Sequence, residues 1–358
     1  MRAHRASVLL TFAAAVICAG CGTYKYRYSE PAYTQKPEQE TVLKDVKLDP
    51  ALEDRILALD PDRVTAEDVK NTLSRAGAPQ IVNVHGGIYP VYQAMESFGK
   101  FLVAMGYPEN RVRNPGDGTY SFSCYDDSDK IAGVIAWYYE KQGMRPMMVG
   151  HSQGGMQAIK VLHELAGDYS TRLRVWNPLT GQFEKRAWIV DPLTGAKRPV
   201  IGIQLSYTSA VGAGGLTRFM PNQWSIGDRL RVIPDTTIEF TGFYKHLDIL
   251  GGDAFGFGPG NSYRAAGKAQ VRTVLLPFSH DHYFVPYTLH LAEHSDTSGW
   301  INSYVPSGEP SMPRGFSAPS SNIVWAADVW TGIKKHWVLE LQRLIRAKRG
   351  LPPDAATR

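Results

Sequence analysis

The segment from Met147 to Ala166 limits the possible folds more than any other part of this 358-residue chain. A short apolar run, Met147 to Val149, passes through Gly150-His151-Ser152-Gln153-Gly154 into an apolar-striped helical stretch, Met156 to Ala166, which Gly167 ends. A strand that turns so quickly into a helix must have that helix packed back on its sheet, and the glycines let the two backbones approach without Cβ clashes. The same rhythm recurs on either side. Ile81 to Val84 ends in His85-Gly86-Gly87 and feeds a helical stretch from Tyr92 to Met105, whose Phe98, Phe101, Leu102 and Met105 share a face. Ile131 to Tyr139 forms another helix, opened by Asp126, Asp127 and Asp129 and closed by Gly143. Val200 to Leu205, Thr237 to Phe243 and Val271 to Leu276 read as further strands, and an amphipathic helix from Val324 to about Ala347 follows them. This alternation predicts an α/β fold, a mostly parallel sheet with helices on both faces.

Insertions interrupt the rhythm. Asn177-Pro178-Leu179-Thr180-Gly181 recurs as Asp191-Pro192-Leu193-Thr194-Gly195, and each copy predicts a β-hairpin turn within residues 168–199. Residues 211–235 and 284–321 are long and rich in Gly, Pro and Ser, which suits binding loops or a cap. Upstream, Thr65 with Asp68 three residues later predicts a capped helix start.

Gly150-His151-Ser152-Gln153-Gly154 has the G-x-S-x-G spacing of a nucleophile elbow. The chemistry needs this context: a tight turn presents the serine at the carboxyl edge of the sheet, and the helix that follows aims its N-terminus at developing negative charge. Strand–His85-Gly86-Gly87–helix followed by strand–elbow–helix resembles the α/β-hydrolase superfamily, particularly its lipase and esterase branches, closely over residues 80–167 and by element order elsewhere. The resemblance implies an α/β-hydrolase fold with β-hairpin and loop insertions. It implies Ser152 as nucleophile and an oxyanion hole from the backbone N–H of Gln153 and that of Gly87, with Ile88 its neighbour. It also implies a chain order of serine, acid, histidine. The base is then expected just after the last strand, in Pro277-Phe278-Ser279-His280-Asp281-His282; His280 is favoured and His282 is the alternative. The acid is expected after Thr237–Phe243, as Asp248 with Asp253 the alternative. Histidines 280, 282, 290 and 294 also suggest metal ligands, but no Glu in an H-E-x-x-H frame accompanies them, so no metal and no other cofactor is expected.

The amino terminus has a separate logic. Arg2 and Arg5 precede an apolar core, Val8 to Cys18, too short to span a bilayer, and Ala19-Gly20 stand directly before Cys21. This resembles the bacterial lipobox, with Cys18 where that box usually has Leu. It implies removal of residues 1–20, acylation of Cys21, and a location in the cell envelope at the outer membrane facing the periplasm. Residues 21–49 are then a flexible tether and 50–350 the folded hydrolase domain. Losing Arg2 and Arg5 brings the net charge of +5 to about +3, too little to argue for nucleic acid. One thiol, Cys124, remains; it cannot close an intrachain disulfide and is expected to be buried and inert.

The expected activity is hydrolysis of a carboxylic ester, small or lipid-like, through a Ser-His-Asp triad and an acyl-enzyme. An acyltransferase or thioesterase on the same fold is the near alternative, and a catalytically silent, lipid-anchored binding or scaffold protein the distant one. Trp176, Trp188, Trp224 and Trp300 suit either an apolar or a sugar-stacking site, and core packing equally.

Overall fold

A computed structural model describes residues 48–219, 221–252, 261–315 and 320–353. Six strands form the central sheet: β1 (Ile81–His85), β2 (Phe122–Ser123), β3 (Met147–His151), β4 (Leu205–Val211), β5 (Thr237–Tyr244) and β6 (Gln270–Leu275). They lie in the order β6-β5-β4-β3-β1-β2, and every pairing is parallel. Around them stand α1 (Pro50–Ala58), α2 (Ala66–Asn71), α3 (Tyr89–Ala104), α4 (Ser128–Gln142), α5 (Gln153–Ala166), α6 (Leu289–Glu293), α7 (Ser295–Ser303) and α8 (Ile323–Arg349).

Side-chain alternation divides the interior between two cores. From β1, Ile81 enters one and Val82 and Val84 the other; from β3, Met147 and Val149 part from Met148 in the same way. On the first face α3 and α8 close the core, with Trp325, Trp330 and Trp337 of α8 fully buried. On the second face α4 and α5 do so. A sheet covered on both sides needs apolar residues at successive positions, which is why its strands read as short unbroken runs.

Local signals set the ends of these helices. Thr65 and Asp68 form a reciprocal capping box at the start of α2. Gly143, Gly167 and Gly350 take left-handed conformations at the ends of α4, α5 and α8. The start of β3 is pinned as well. Arg145 donates through Nε to Glu340 of α8 at 2.6 Å, and Arg343 donates to the same carboxylate at 2.7 Å. Burial raises the pKa of Glu340, but the two guanidinium groups outweigh it and hold the carboxyl at about 2.

The two repeated turns each close a hairpin, pairing Trp176–Asn177 with Gln182–Phe183 and Trp188–Val190 with Lys197–Pro199. In both turns the first side chain, Asn177 or Asp191, accepts two backbone N–H groups, and Gly181 and Gly195 take positive φ. The expected strand at Val200–Leu205 is displaced: residues 200–204 are bend, turn and irregular backbone, and the strand runs Leu205–Val211. Apolar patterning missed it because Ser206 and Thr208 lie inside it. Their hydroxyls are satisfied by Arg145 O and Thr237 Oγ1. The loop expected over 211–235 carries 3₁₀ turns at Gly215–Phe219 and Pro221–Arg231, and that over 284–321 carries α6 and α7. The two-residue strand β2 was too short for a periodicity signal. Among the described residues no helix is long and apolar enough to cross a membrane.

Strand order opens a site at one edge of the sheet. The chain goes from β1 outward to β2, then crosses back to β3 on the other side of β1. At such a switch point the loops leaving neighbouring strands diverge, opening a crevice at their carboxyl ends. His85-Gly86-Gly87 and Ser152 both stand there.

Candidate active site

β3 turns into α5 at Ser152, whose backbone takes φ 56° and ψ −123°. A non-glycine residue pays about 1–3 kcal/mol for such a conformation, so the surroundings must enforce it. They do so from both sides. Ser152 N donates to Val211 O at 2.8 Å, tying the turn to the end of β4. A Cβ at Gly150 would collide with the Gly154 carbonyl, one at Gly154 with the Val84 carbonyl, and one at Gly155 would lie 3.0 Å from Ala213 Cβ. The glycines of the motif are therefore there for clearance.

The strained turn aims Ser152 Oγ at a histidine. The Ser152 hydroxyl donates to His282 Nε2 at 3.0 Å, and His282 Nδ1 donates to Asp248 Oδ2 at 2.8 Å. All three side chains are largely buried, at 5%, 9% and 7% relative exposure for Ser152, His282 and Asp248. Asp248 Oδ1 accepts the Gly251 N–H at 2.7 Å. Burial raises the Asp248 pKa, but the His282 hydrogen bond and charge, with the Gly251 N–H, outweigh it and hold the carboxyl below its ordinary range.

The histidine that meets Ser152 is the alternative of the sequence expectation, His282, and not the favoured His280. His280 does not meet Ser152: its Nδ1 donates to Pro277 O at 3.2 Å, within its own loop, and its ring is almost fully buried. Burial, with the Lys245 ammonium, pushes its pKa down to about 4 against the pull of the Pro277 carbonyl. The reason is the tight turn, closed by His280 N to Pro277 O at 3.1 Å. In a strand, residues 280 and 282 would share a face; in this turn they point apart. Asp248, the expected acid, is in the chain of hydrogen bonds. Its alternative Asp253 lies outside the described residues, as do Cys21 and the rest of residues 1–47, where the signal segment and most of the tether are expected.

Three residues of this site carried no legible signal. His151, fully buried, donates from Nε2 to the backbone carbonyl of His282 at 2.6 Å, so the elbow itself holds the loop that carries His282. Burial, with the neighbouring His282, pushes the His151 pKa down to about 3, so it stays neutral. Gly212, at φ +60°, leaves room for the His282 ring: a Cβ there would stand 2.9 Å from His282 Cε1 and 3.0 Å from Nδ1. Leu247, directly before Asp248, has φ 59° and is mostly exposed. A left-handed leucine between β5 and Asp248 marks a second strained turn at the same edge.

On the other side of Ser152 lies the glycine loop. A Cβ at Gly86 would come within 3.0 Å of Ser152 Cβ, and one at Gly87 would collide with the Gln153 side chain. Tyr125 donates its hydroxyl to Gly87 O at 2.8 Å, and the Cys124 thiol donates to Gln153 Oε1 at 3.3 Å. Both contacts fix the loop against the elbow. Cys124 is buried, and burial pushes its thiol pKa far up. Gln153 is the first residue of α5, so its backbone N–H is one of the donors a helix leaves unpaired.

Compared with known protein families, curated proteins and solved structures, the chain matches none.

Its own geometry therefore carries the reading. The hydroxyl, imidazole and carboxylate lie in line, and a peptide loop and a helix N-terminus meet at the hydroxyl. Behind His282 the space bounded by His151, Gly212 and His280 is only about 10 Å³, at the limit of one water. Among the described residues no group of His, Cys, Asp or Glu is arranged to hold a metal ion.

Proposed function

We propose that the protein is a serine hydrolase of the α/β-hydrolase type that cleaves carboxylic esters. The observation that carries this reading is the unbroken chain Asp248–His282–Ser152, starting from a serine held in a strained, glycine-cleared elbow. A scaffold protein has no use for a strain of about 1–3 kcal/mol at a buried serine.

In the proposed reaction His282 Nε2 takes the Ser152 proton as Oγ attacks the ester carbonyl. Asp248 holds the Nδ1–H tautomer and stabilises the imidazolium. The N–H groups of Gln153 and Gly87 receive the oxyanion. Collapse breaks the acyl–oxygen bond, and the alcohol leaves with the proton from His282. Water, deprotonated by His282, then releases the acid from Ser152. The net change is ester plus water to carboxylic acid plus alcohol. The six-stranded parallel sheet flanked by helices is compatible with this superfamily.

Labelling by a fluorophosphonate tests the reading. The wild-type protein should label and hydrolyse p-nitrophenyl acetate, and Ser152→Ala should lose both by a factor on the order of a thousand or more while its unfolding midpoint stays close. Esterase activity retained in Ser152→Ala removes the proposal. We further propose that a lipid on Cys21 holds the domain to the bacterial outer membrane on its periplasmic side. Each buried methylene contributes about 0.8 kcal/mol, so several acyl chains anchor firmly. The wild-type protein should partition into detergent and Cys21→Ser should not; an aqueous wild-type protein refutes the anchor.

A further inference from the structure

A cleft of about 330 Å³ lies between α3 and the segment after the base. Tyr92, Glu96 and Lys100 line one wall; Tyr287, His290 and Glu293 line the other. Ser97 Oγ accepts the N–H groups of Thr288 and Leu289 at 3.1 and 3.0 Å, so the walls are fixed to each other. Glu96 is also tied down, accepting Tyr120 N at 2.9 Å. This is a built recess.

Both walls lead back to the reaction centre. Tyr92 packs edge-on against His85 at 5.1 Å, and His85 precedes Gly86, which abuts Ser152. Tyr89, at the start of α3 just past the glycine loop, stacks on Tyr92 at 6.1 Å. Tyr287 comes five residues after His282 and stacks on His290 at 6.0 Å. Packed rings thus link the cleft to both flanks of Ser152, through Tyr92 and His85 to the glycine loop and through Tyr287 to the loop that carries His282.

The lining selects the chemistry. A fatty chain in this cleft would strip water from two carboxylates and an ammonium with nothing in return. An anionic group would face Glu96 and Glu293. A neutral polyol suits it: each hydroxyl both donates and accepts, matching carboxylate acceptors and the Lys100 and Gln93 donors, while the C–H face of a sugar ring lies against the half-exposed ring of Tyr287. We infer that the cleft is the alcohol subsite and that the substrates are acyl esters of sugars, the leaving hydroxyl belonging to the carbohydrate. This rests on the serine-hydrolase reading.

The test holds the acyl group constant. kcat/KM is measured for 6-O-acetylglucose, ethyl acetate and p-nitrophenyl acetate. The wild-type protein is expected to prefer 6-O-acetylglucose over ethyl acetate by about tenfold or more. The ratio between those two esters should fall by a similar factor in Tyr287→Ala and in Glu293→Gln, chiefly through KM. Glu293 is exposed, so Glu293→Gln keeps the test alive if Tyr287→Ala fails to fold. A wild-type protein that cleaves p-nitrophenyl acetate but shows no sugar preference, or a ratio unmoved in both variants, overturns the inference and leaves the hydrolase standing. Cleavage of none of the three esters, with no phosphonate labelling, fells the hydrolase reading and the inference with it.

Discussion

The elbow and the base loop deliver their side chains to the same point by different means. At the elbow the decisive contacts are short-range in sequence or come from adjacent strands: Gly150 clears Gly154, Gly154 clears Val84, and Ser152 N bonds Val211 O. The glycine spacing that allows the turn is written into five consecutive residues, even though Val84 and Val211, which it must clear and bond, come from elsewhere in the chain. The loop from Pro277 to His282 offers two histidines of equal local merit, and what separates them is remote. Asp248 lies 34 residues back and Gly212 lies 70 back, and only their arrival in space makes His282 the ring that fits. A strained serine turn can be found from a pentapeptide, and the proposed nucleophile with it. A base set by its partners cannot.

The comparison is broken most directly at the histidines. His282→Ala should lose activity by a factor on the order of a thousand, and adding Ser152→Ala should cost little more, since the two act as a unit. His280→Ala should keep activity within about tenfold and show its cost as a lower unfolding midpoint, because it vacates a packed site. The reverse pattern would give the role to His280. The pH profile sharpens the same point. His151 and His280, with pKa values pushed down to about 3 and 4, are already neutral above pH 5. They change no charge there, so the acid limb of log kcat/KM against pH should rise with a slope of one. A slope of two would mean a second histidine must lose its proton.

A middling effect is expected at Gly212. Gly212→Ala adds a methyl 2.9 Å from the His282 ring at a position with φ +60°, where Gly181→Ala, at φ +67°, adds one to open space. Both substitutions carry a backbone cost of about 1–2 kcal/mol. Only Gly212→Ala should also lower kcat, by about ten- to a hundredfold, as the imidazole is pushed off line. Equal activity in the two variants would show that the base does not depend on this clearance.

The same division explains what was legible. The alternation of strand and helix, the capping box at Thr65, the paired turns at Asn177 and Asp191 and the elbow at Ser152 all rest on local chemistry, and the sequence shows them. The strand Leu205–Val211 was hidden because the hydroxyls of Ser206 and Thr208 are satisfied from neighbouring segments, by Arg145 O just before β3 and Thr237 of β5, information that lies across the sheet. Asp248 could be placed by order along the chain, but the hydrogen bond that distinguishes His282 from His280 could not. His151 looked like the variable position of a motif, because its partner is a backbone carbonyl 131 residues away.

The smallest expected effect joins the two regions. His151 belongs to the elbow by sequence and to the base loop by contact, through the 2.6 Å bond from its Nε2 to His282 O. It touches no reacting atom in the proposed mechanism, so it acts as a positioning residue. Its neutrality matters as well: its ring centroid is 5.3 Å from that of His282, and a second positive charge there would oppose the imidazolium that forms in catalysis. His151→Leu removes the donor and leaves the carbonyl of His282 buried without it, a loss of about 1–3 kcal/mol in holding the loop. The expected result is a fall in kcat of about tenfold with KM nearly unchanged, since the substrate-facing side of Ser152 is untouched. His151→Gln, which offers an amide N–H along a similar reach, should recover most of kcat. If Leu and Gln lower kcat alike and lower the unfolding midpoint alike, His151 fills space and the coupling between elbow and base loop lies elsewhere.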